Sequence, residues 1–285
     1  MAATSLAPAH SATVPEAPLA AAYARLGELL PGVRITEVPD GRLPTGDGWA
    51  GSAELAAGGA ALRSFLAWDE EQIRRDYGGT ARPDVVASFG LHRYAWPATL
   101  LITMPWFLLR RVPHLPPGGV AFHRATGRLA VAAPAFSCLA DDPAAALPTA
   151  RPVADEEALR QAVRAAVAEH LAPVLEGFRP HMRRGPRALW GAAADEITEG
   201  LWYTGKLMGE EQRAIEAAET LLPGAAAPYP CGAGFRELTA PDGTRLPTRD
   251  RASCCLFYTL RPRETCVTCP RTSDAERIER LTASG

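Results

Sequence analysis

Residues 251–270 read RASCCLFYTLRPRETCVTCP and hold four of the six cysteines in the chain: Cys254, Cys255, Cys266 and Cys269. As spacing this is C-C-x10-C-x2-C. Four thiolates gathered locally are what a metal ion or an iron–sulfur cluster needs. Structural zinc usually takes two C-x2-C knuckles, and here only Cys266 and Cys269 form one. The run from Ala252 to Leu260 reads as a strand, in which the adjacent Cys254 and Cys255 point to opposite faces. Binding one ion with both would require a bend in the backbone there. A two-iron cluster is a larger target, and four cysteines are its usual complement. Disulfides are the third reading. The first thirty residues show neither a basic start nor a continuous apolar stretch of the secretory kind, so reduced thiols are expected. On chemistry alone zinc and cluster stand level, with disulfides behind.

The vicinal pair, the apolar-aromatic run after it, and Cys266-Val-Thr-Cys269-Pro270 together resemble the C-terminal signature of the siderophore-iron reductases of the FhuF type. Weaker similarity reaches back along the chain. Arg82 to Tyr94 fits R-x4-AS-x4-RY, and His170 to Pro173 and Leu189 to Asp195 are similar to family segments. The resemblance implies a [2Fe-2S] cluster on Cys254, Cys255, Cys266 and Cys269, and one-electron reduction of a ferric siderophore.

Outward from the cysteines, Gly234–Leu238 and Arg245–Thr248 flank Pro241-Asp-Gly243, a turn signal. Asp274 to Leu281 reads as a closing helix. Helices are expected over 186–205 and 209–222, and another from Asp155, a natural N-cap, through Val174. Residues 134–152 carry four prolines and read as a linker or long loop. Before them, Val120–His123 and Arg128–Ala132 read as a hairpin, and Pro113–Gly119 as a turn-rich connector. Asp84–Tyr94 reads as one helix, with Pro97 opening the next, which ends near Arg110. Helices over 53–76, weakened at Gly58-Gly59, a loop over 39–51, a strand over 33–38 and a helix over 18–30 complete the pattern. Residues 1–15 are small and aperiodic and read as a disordered tail. The expected class is α+β: a helix-rich body with small antiparallel sheets and a C-terminal cysteine-rich, [2Fe-2S]-binding segment. The expected regions are 16–133, the linker 134–152, a helical part 153–230 and a cluster-binding part 231–285.

With 285 residues, 47% hydrophobic content and a net charge of −2, the chain can bury a sizeable core and lacks the charge of a general nucleic-acid binder. Its longest apolar run, Ala98–Leu109, is interrupted by Pro105 and is too short to span a bilayer. The expected location is the cytoplasm, either free or peripheral at the inner membrane face. Gly-Ala-Gly at 232–234 is too short for a nucleotide loop. Electrons must therefore come from a separate donor, such as a ferredoxin or a ferredoxin reductase.

Candidate contacts to an anionic ferric siderophore are Arg249, Arg251, Arg261 and Arg263 around the cysteines. Arg183 and Arg184 lie in a basic run whose ordinary reading is a solvated loop. Trp190, Trp202 and Tyr203 could stack on a catecholate ring, but at helical spacing they read first as core. Cys138 and Cys231 read as buried thiols. The alternative to a reductase is a non-catalytic module that binds a siderophore or a partner and holds structural zinc. A third reading is a general electron carrier.

Overall fold

The computed structural model describes residues 17–284; the tail expected over 1–15 lies outside them. The chain opens with α1 (Ala20–Leu29), β1 (Arg34–Glu37) and β2 (Trp49–Gly51), so the loop expected over 39–51 ends in a short strand. Then come α2 (Ser52–Ala56), α3 (Gly59–Tyr77) and α4 (Pro83–Leu109). The break between α2 and α3 falls at Gly58, whose φ of 81° suits glycine. The next elements are β3 (Val112–His114), β4 (Val120–His123), β5 (Arg128–Val131), β6 (Ala135–Leu139) and β7 (Ala150–Val153). The chain closes through α5 (Glu156–Phe178), α6 (Pro186–Leu207), α7 (Glu211–Leu221), β8 (Phe235–Thr239), β9 (Arg245–Arg249) and α8 (Asp274–Ser284). This is the α+β class expected.

Helix α4 is the axis of the body and packs against α1, α3, α5 and α6. It is one helix, not the two expected. Pro97 and Pro105 both lie inside it, and a proline in a helix interior costs about 3 kcal/mol or more. Burial on all sides outweighs that cost, because every position from Pro97 to Phe107 is buried. The backbone oxygen that Pro105 deprives of a helical partner belongs to Leu101, and the Tyr23 hydroxyl on α1 donates to it (3.2 Å).

Three small sheets surround the helices. One has the order β1-β5-β4-β2 and contains the expected β4–β5 hairpin. The second has the order β3-β6-β7, and the third is the β8–β9 hairpin. The first two are mixed, since β1–β5 and β6–β7 run parallel. Two stretches read as irregular are therefore strands: the connector at 113–119 begins in β3, and the segment 134–152 contains β6 and β7. Pro113 and Pro152 mislead here, but both sit on edge strands, where a missing N–H is tolerated. Residues Ala135 to Cys138 of β6 are buried.

At the N-terminus of α5, Asp155 caps as expected, accepting from the Ala158 N–H at 2.8 Å. Inside, His170 donates through Nδ1 to the Leu115 carbonyl (2.9 Å), so its Nε2 accepts from the Tyr94 hydroxyl (2.7 Å). Burial pushes the His170 imidazole down to about 4, which keeps it neutral.

The main apolar cluster runs from Leu19 to Ala233, and among the described residues none of its buried members lies beyond Ala233. The C-terminal hairpin and cysteine loops join the body chiefly through polar groups and a few aromatic rings.

Candidate iron–sulfur site

The cysteine pair does not lie on a strand. After β9 the chain turns irregularly, and Leu256 adopts a left-handed conformation (φ 66°) before a single 3-10 turn at Phe257–Thr259. This supplies the bend that two adjacent cysteine ligands require. The aromatic run that reads as a strand instead packs ring by ring. Phe257 meets Tyr77 of α3 at 5.9 Å and Phe89 of α4 at 6.5 Å between ring centroids.

Backbone donors reach two of the sulfurs. The Leu256 N–H points to Cys254 Sγ (3.5 Å) and the Arg271 N–H to Cys269 Sγ (3.4 Å). The Cys266–Cys269 knuckle closes through the Cys269 N–H donating to the Cys266 carbonyl (3.0 Å). The Thr272 hydroxyl donates to the same oxygen (3.0 Å). Cys255 and Cys266 influence each other's titration across the two loops. The Cys266 thiol, the Phe257 N–H and the Arg251 charge hold the Cys255 thiol below its ordinary range against the opposing effect of burial. All four cysteines are free; Cys269 is buried, and Cys254, Cys255 and Cys266 are half-buried. Among the described residues no three Cys, His, Asp or Glu side chains are gathered as ligands of a single metal ion. The donor set suits a thiolate-ligated cluster: four sulfurs on two neighbouring loops, with N–H groups aimed at sulfur and cations nearby.

The arginines divide. Arg184 donates to the Cys254 carbonyl, so this member of the 183–187 run is not a freely solvated charge. Arg251 lies beside Cys255. Arg261 stacks over the Tyr77 ring at 5.4 Å, while Arg183 and Arg263 are exposed. Arg249 is a correction to the expected substrate contacts: it is 1% exposed and ion-paired to Asp195 (3.0 Å) and Glu199 (3.1 Å), so it faces the interior. Trp202 is buried against Phe235, Trp190 packs on Tyr229, and Tyr203 is exposed. Cys138 is buried, whereas Cys231 is only half-buried.

Sequence reading missed the residues that hold this unit in place. Asp195 on α6 binds the loop just before Cys254. Arg277 on α8, 3% exposed, donates to the carbonyls of Cys269 (3.2 Å) and Arg249 (3.2 Å) and to Asp250 (3.0 Å). Arg236 bridges Asp250 and Asp274. The available signals were the family-similar segment Leu189–Asp195, which ends on Asp195, and the acidic set Asp195, Glu196 and Glu199 on a helix otherwise rich in small and apolar residues.

A narrow cleft beside Cys255 is lined by Ser88, His92, Arg184, Glu196 and Arg251. The Ser88 hydroxyl donates to the Cys255 carbonyl (3.3 Å). His92 Nδ1 is 2.9 Å from both Glu196 oxygens, although the imidazole itself is 56% exposed. The Glu196 carboxylate raises the His92 pKa above its ordinary value, with Glu199 assisting; Arg251 and the lost hydration of the ring's Glu196-facing side oppose it, the latter limited by the exposure of the rest of the side chain. A raised folded-state value means that the stabilising charge pair is complete below the unfolded imidazole's pKa of about 6.5 and is lost as pH rises through the folded value. An NMR titration is expected to place His92 above about 6.5, and Glu196→Gln should bring it down. A His92 value unchanged by Glu196→Gln would show that the pair does not form.

The structure is a helix-rich α+β body that presents four free cysteines on two neighbouring C-terminal loops. Residues 251–271 match the family model of the FhuF 2Fe-2S C-terminal domain. That segment makes the chain FhuF-like, and its cofactor is a [2Fe-2S] cluster. No curated protein and no solved structure matches the chain. Among the described residues no helix is long and apolar enough to cross a membrane.

Proposed function

We propose that this protein is a ferric-siderophore reductase: it passes one electron to Fe3+ held in a siderophore complex, and Fe2+ is released on the cytoplasmic side. The observation that carries this reading is the FhuF-type match across all four cysteines. When bound, the [2Fe-2S] group supplies one-electron transfer, with Cys254, Cys255, Cys266 and Cys269 as its ligands. The chain's own contribution is position and charge. Three of the four cysteines are half-buried rather than sealed, which leaves an edge of the site near solvent. Arg184 at the Cys254 carbonyl and Arg251 beside Cys255 bring positive charge to the sulfurs, and we assign Arg183, Arg261 and Arg263 as further contacts to an anionic ferric chelate. Fe2+ binds hard oxygen donors less tightly than Fe3+, so reduction loosens the iron. The electron is supplied by an external carrier such as a ferredoxin or a ferredoxin reductase.

The test is an absorption and EPR spectrum of protein purified without oxygen, before and after dithionite, followed by trapping of Fe2+ formed from ferric siderophores. The expected result is a red-brown protein that bleaches, gives a spin-half signal and reduces the chelate. Arg263→Glu should lower kcat/KM for an anionic chelate several-fold, mainly through KM, with a smaller effect at high salt. A colourless protein holding one zinc would overturn the reading in favour of a binding module. Equal rates on every ferric chelate would instead indicate a general electron carrier.

A further inference from the structure

Asp195 is 2% exposed on α6 and is shared between the body and the cysteine loop. Its Oδ1 accepts from Arg249 Nη2 (3.0 Å) and from the Ala252 N–H (3.0 Å). Its Oδ2 accepts from the Ser253 N–H (2.8 Å) and the Ser253 hydroxyl (2.8 Å). Two successive backbone N–H groups and a side-chain hydroxyl, all immediately before Cys254, therefore converge on one carboxylate. A second observation points the same way. At Gly191, one turn earlier on α6, an added Cβ would meet the Ala252 Cβ at 3.3 Å, so the helix is pared down where the loop lies against it.

Charge is arranged around the same carboxylate. Arg251 Nε lies 3.7 Å from Asp195 Oδ2, yet it is buried and makes no hydrogen bond. Asp195 thus holds Arg251 by charge rather than by a directed bond, and the guanidinium remains beside Cys255. A reduced cluster is more negative than an oxidised one. A cation at the sulfurs favours the reduced form and a nearby anion disfavours it.

We propose that Asp195 is a positioning residue for the cluster, fixing the Cys254–Cys255 loop onto α6 and offsetting the Arg251 charge, so that the Asp195–Arg251 pair sets the reduction potential. This goes beyond the reductase reading and depends on the [2Fe-2S] cofactor, not on the substrate.

The experiment compares wild type, Asp195→Asn, Arg251→Gln and Ser253→Ala as full-length protein purified without oxygen. Iron and sulfide content, visible spectrum, midpoint potential and rate of cluster loss to a chelator are measured on each. Asp195→Asn removes a negative charge and is expected to raise the potential; Arg251→Gln removes a positive one and is expected to lower it. Ser253→Ala keeps both charges, and it should lose its cluster faster with little change in potential. Opposite-signed potentials separate charge from a merely loosened loop, which would move both variants the same way. If Asp195→Asn fails to fold, a lowered potential in Arg251→Gln together with faster cluster loss in Ser253→Ala sustains the proposal. Potentials that match the wild type, or that move in the same direction, overturn it, as does wild-type cluster retention in Ser253→Ala. Those outcomes leave the reductase reading standing. A cluster-loaded wild type that reduces no ferric chelate while the variants behave as expected overturns that reading alone.

Discussion

Replacing Cys254 with serine is expected to give a colourless protein that reduces no ferric chelate, with both losses seen in the same preparation. A thiolate is the soft ligand that iron–sulfur chemistry uses, and a serine hydroxyl at ordinary pKa does not replace it. No neighbour can take its place. Cys255 already interacts with Cys266 across the loops, and Cys269 is buried on the opposite knuckle beneath Arg277. The bend at Leu256 fixes the directions of both members of the pair. Losing a hydrogen-bond partner of a metal ligand typically costs about 10–100-fold in affinity or activity, so losing the ligand should cost at least that. Cys138→Ala is the matched control: Cys138 lies on β6, wholly buried, and its replacement should leave the cluster intact. Full activity in Cys254→Ser protein that has lost its cluster would refute the electron-transfer role proposed for the site.

The cysteine motif was legible because its information is local, with four residues of one chemistry inside sixteen positions. The α5 helix was legible for a similar reason: its apolar spacing and its Asp155 cap lie next to one another in the chain. The strand expected over 252–260 failed because β-propensity describes a residue's fit to a pleated surface, and here no partner strand is present. Turn bonds take up the backbone instead, with the Thr259 N–H donating to the Leu256 carbonyl and the Leu260 N–H to the Phe257 carbonyl, both at 2.9 Å. Proline misled in two ways. Within α4 its local cost is outweighed by burial, and in β3 and β7 it falls on an edge where its missing N–H is harmless. The polar attachment of the cysteine unit was the least legible part. Asp195 and Arg249 are 54 positions apart, and Ser88 and Cys255 are 167 apart. No periodicity reports such pairs: Arg249 reads as a siderophore contact beside the cysteines, and nothing local ties Asp195 or Ser88 to the cysteine loop.

That polar attachment makes the second large effect specific. Arg249→Met is expected to destabilise the protein by about 3 kcal/mol, the lower end of what removing one partner of a buried ion pair costs. At about 2–4 °C per kcal/mol for a chain of this size, Tm should fall by roughly 6–12 °C. Methionine keeps much of the side-chain bulk, so the loss comes from charge and hydrogen bonding rather than from a cavity. The lower end is the appropriate choice because Asp195 is not left bare: the N–H groups of Ala252 and Ser253 and the Ser253 hydroxyl still reach it. Glu199, which is half-buried, loses the Arg249 Nε but keeps access to water. The double variant Arg249→Met with Asp195→Leu decides what the pair is for. Where two buried charges serve only each other, replacing both by apolar groups usually restores stability. Here Asp195 also anchors the loop that carries two cysteines, so the double variant should be no more stable than Arg249→Met and should hold less iron. Recovery to near wild-type Tm with full cluster content would show instead that the carboxylate serves Arg249 alone and that the cysteine loop holds its shape without it.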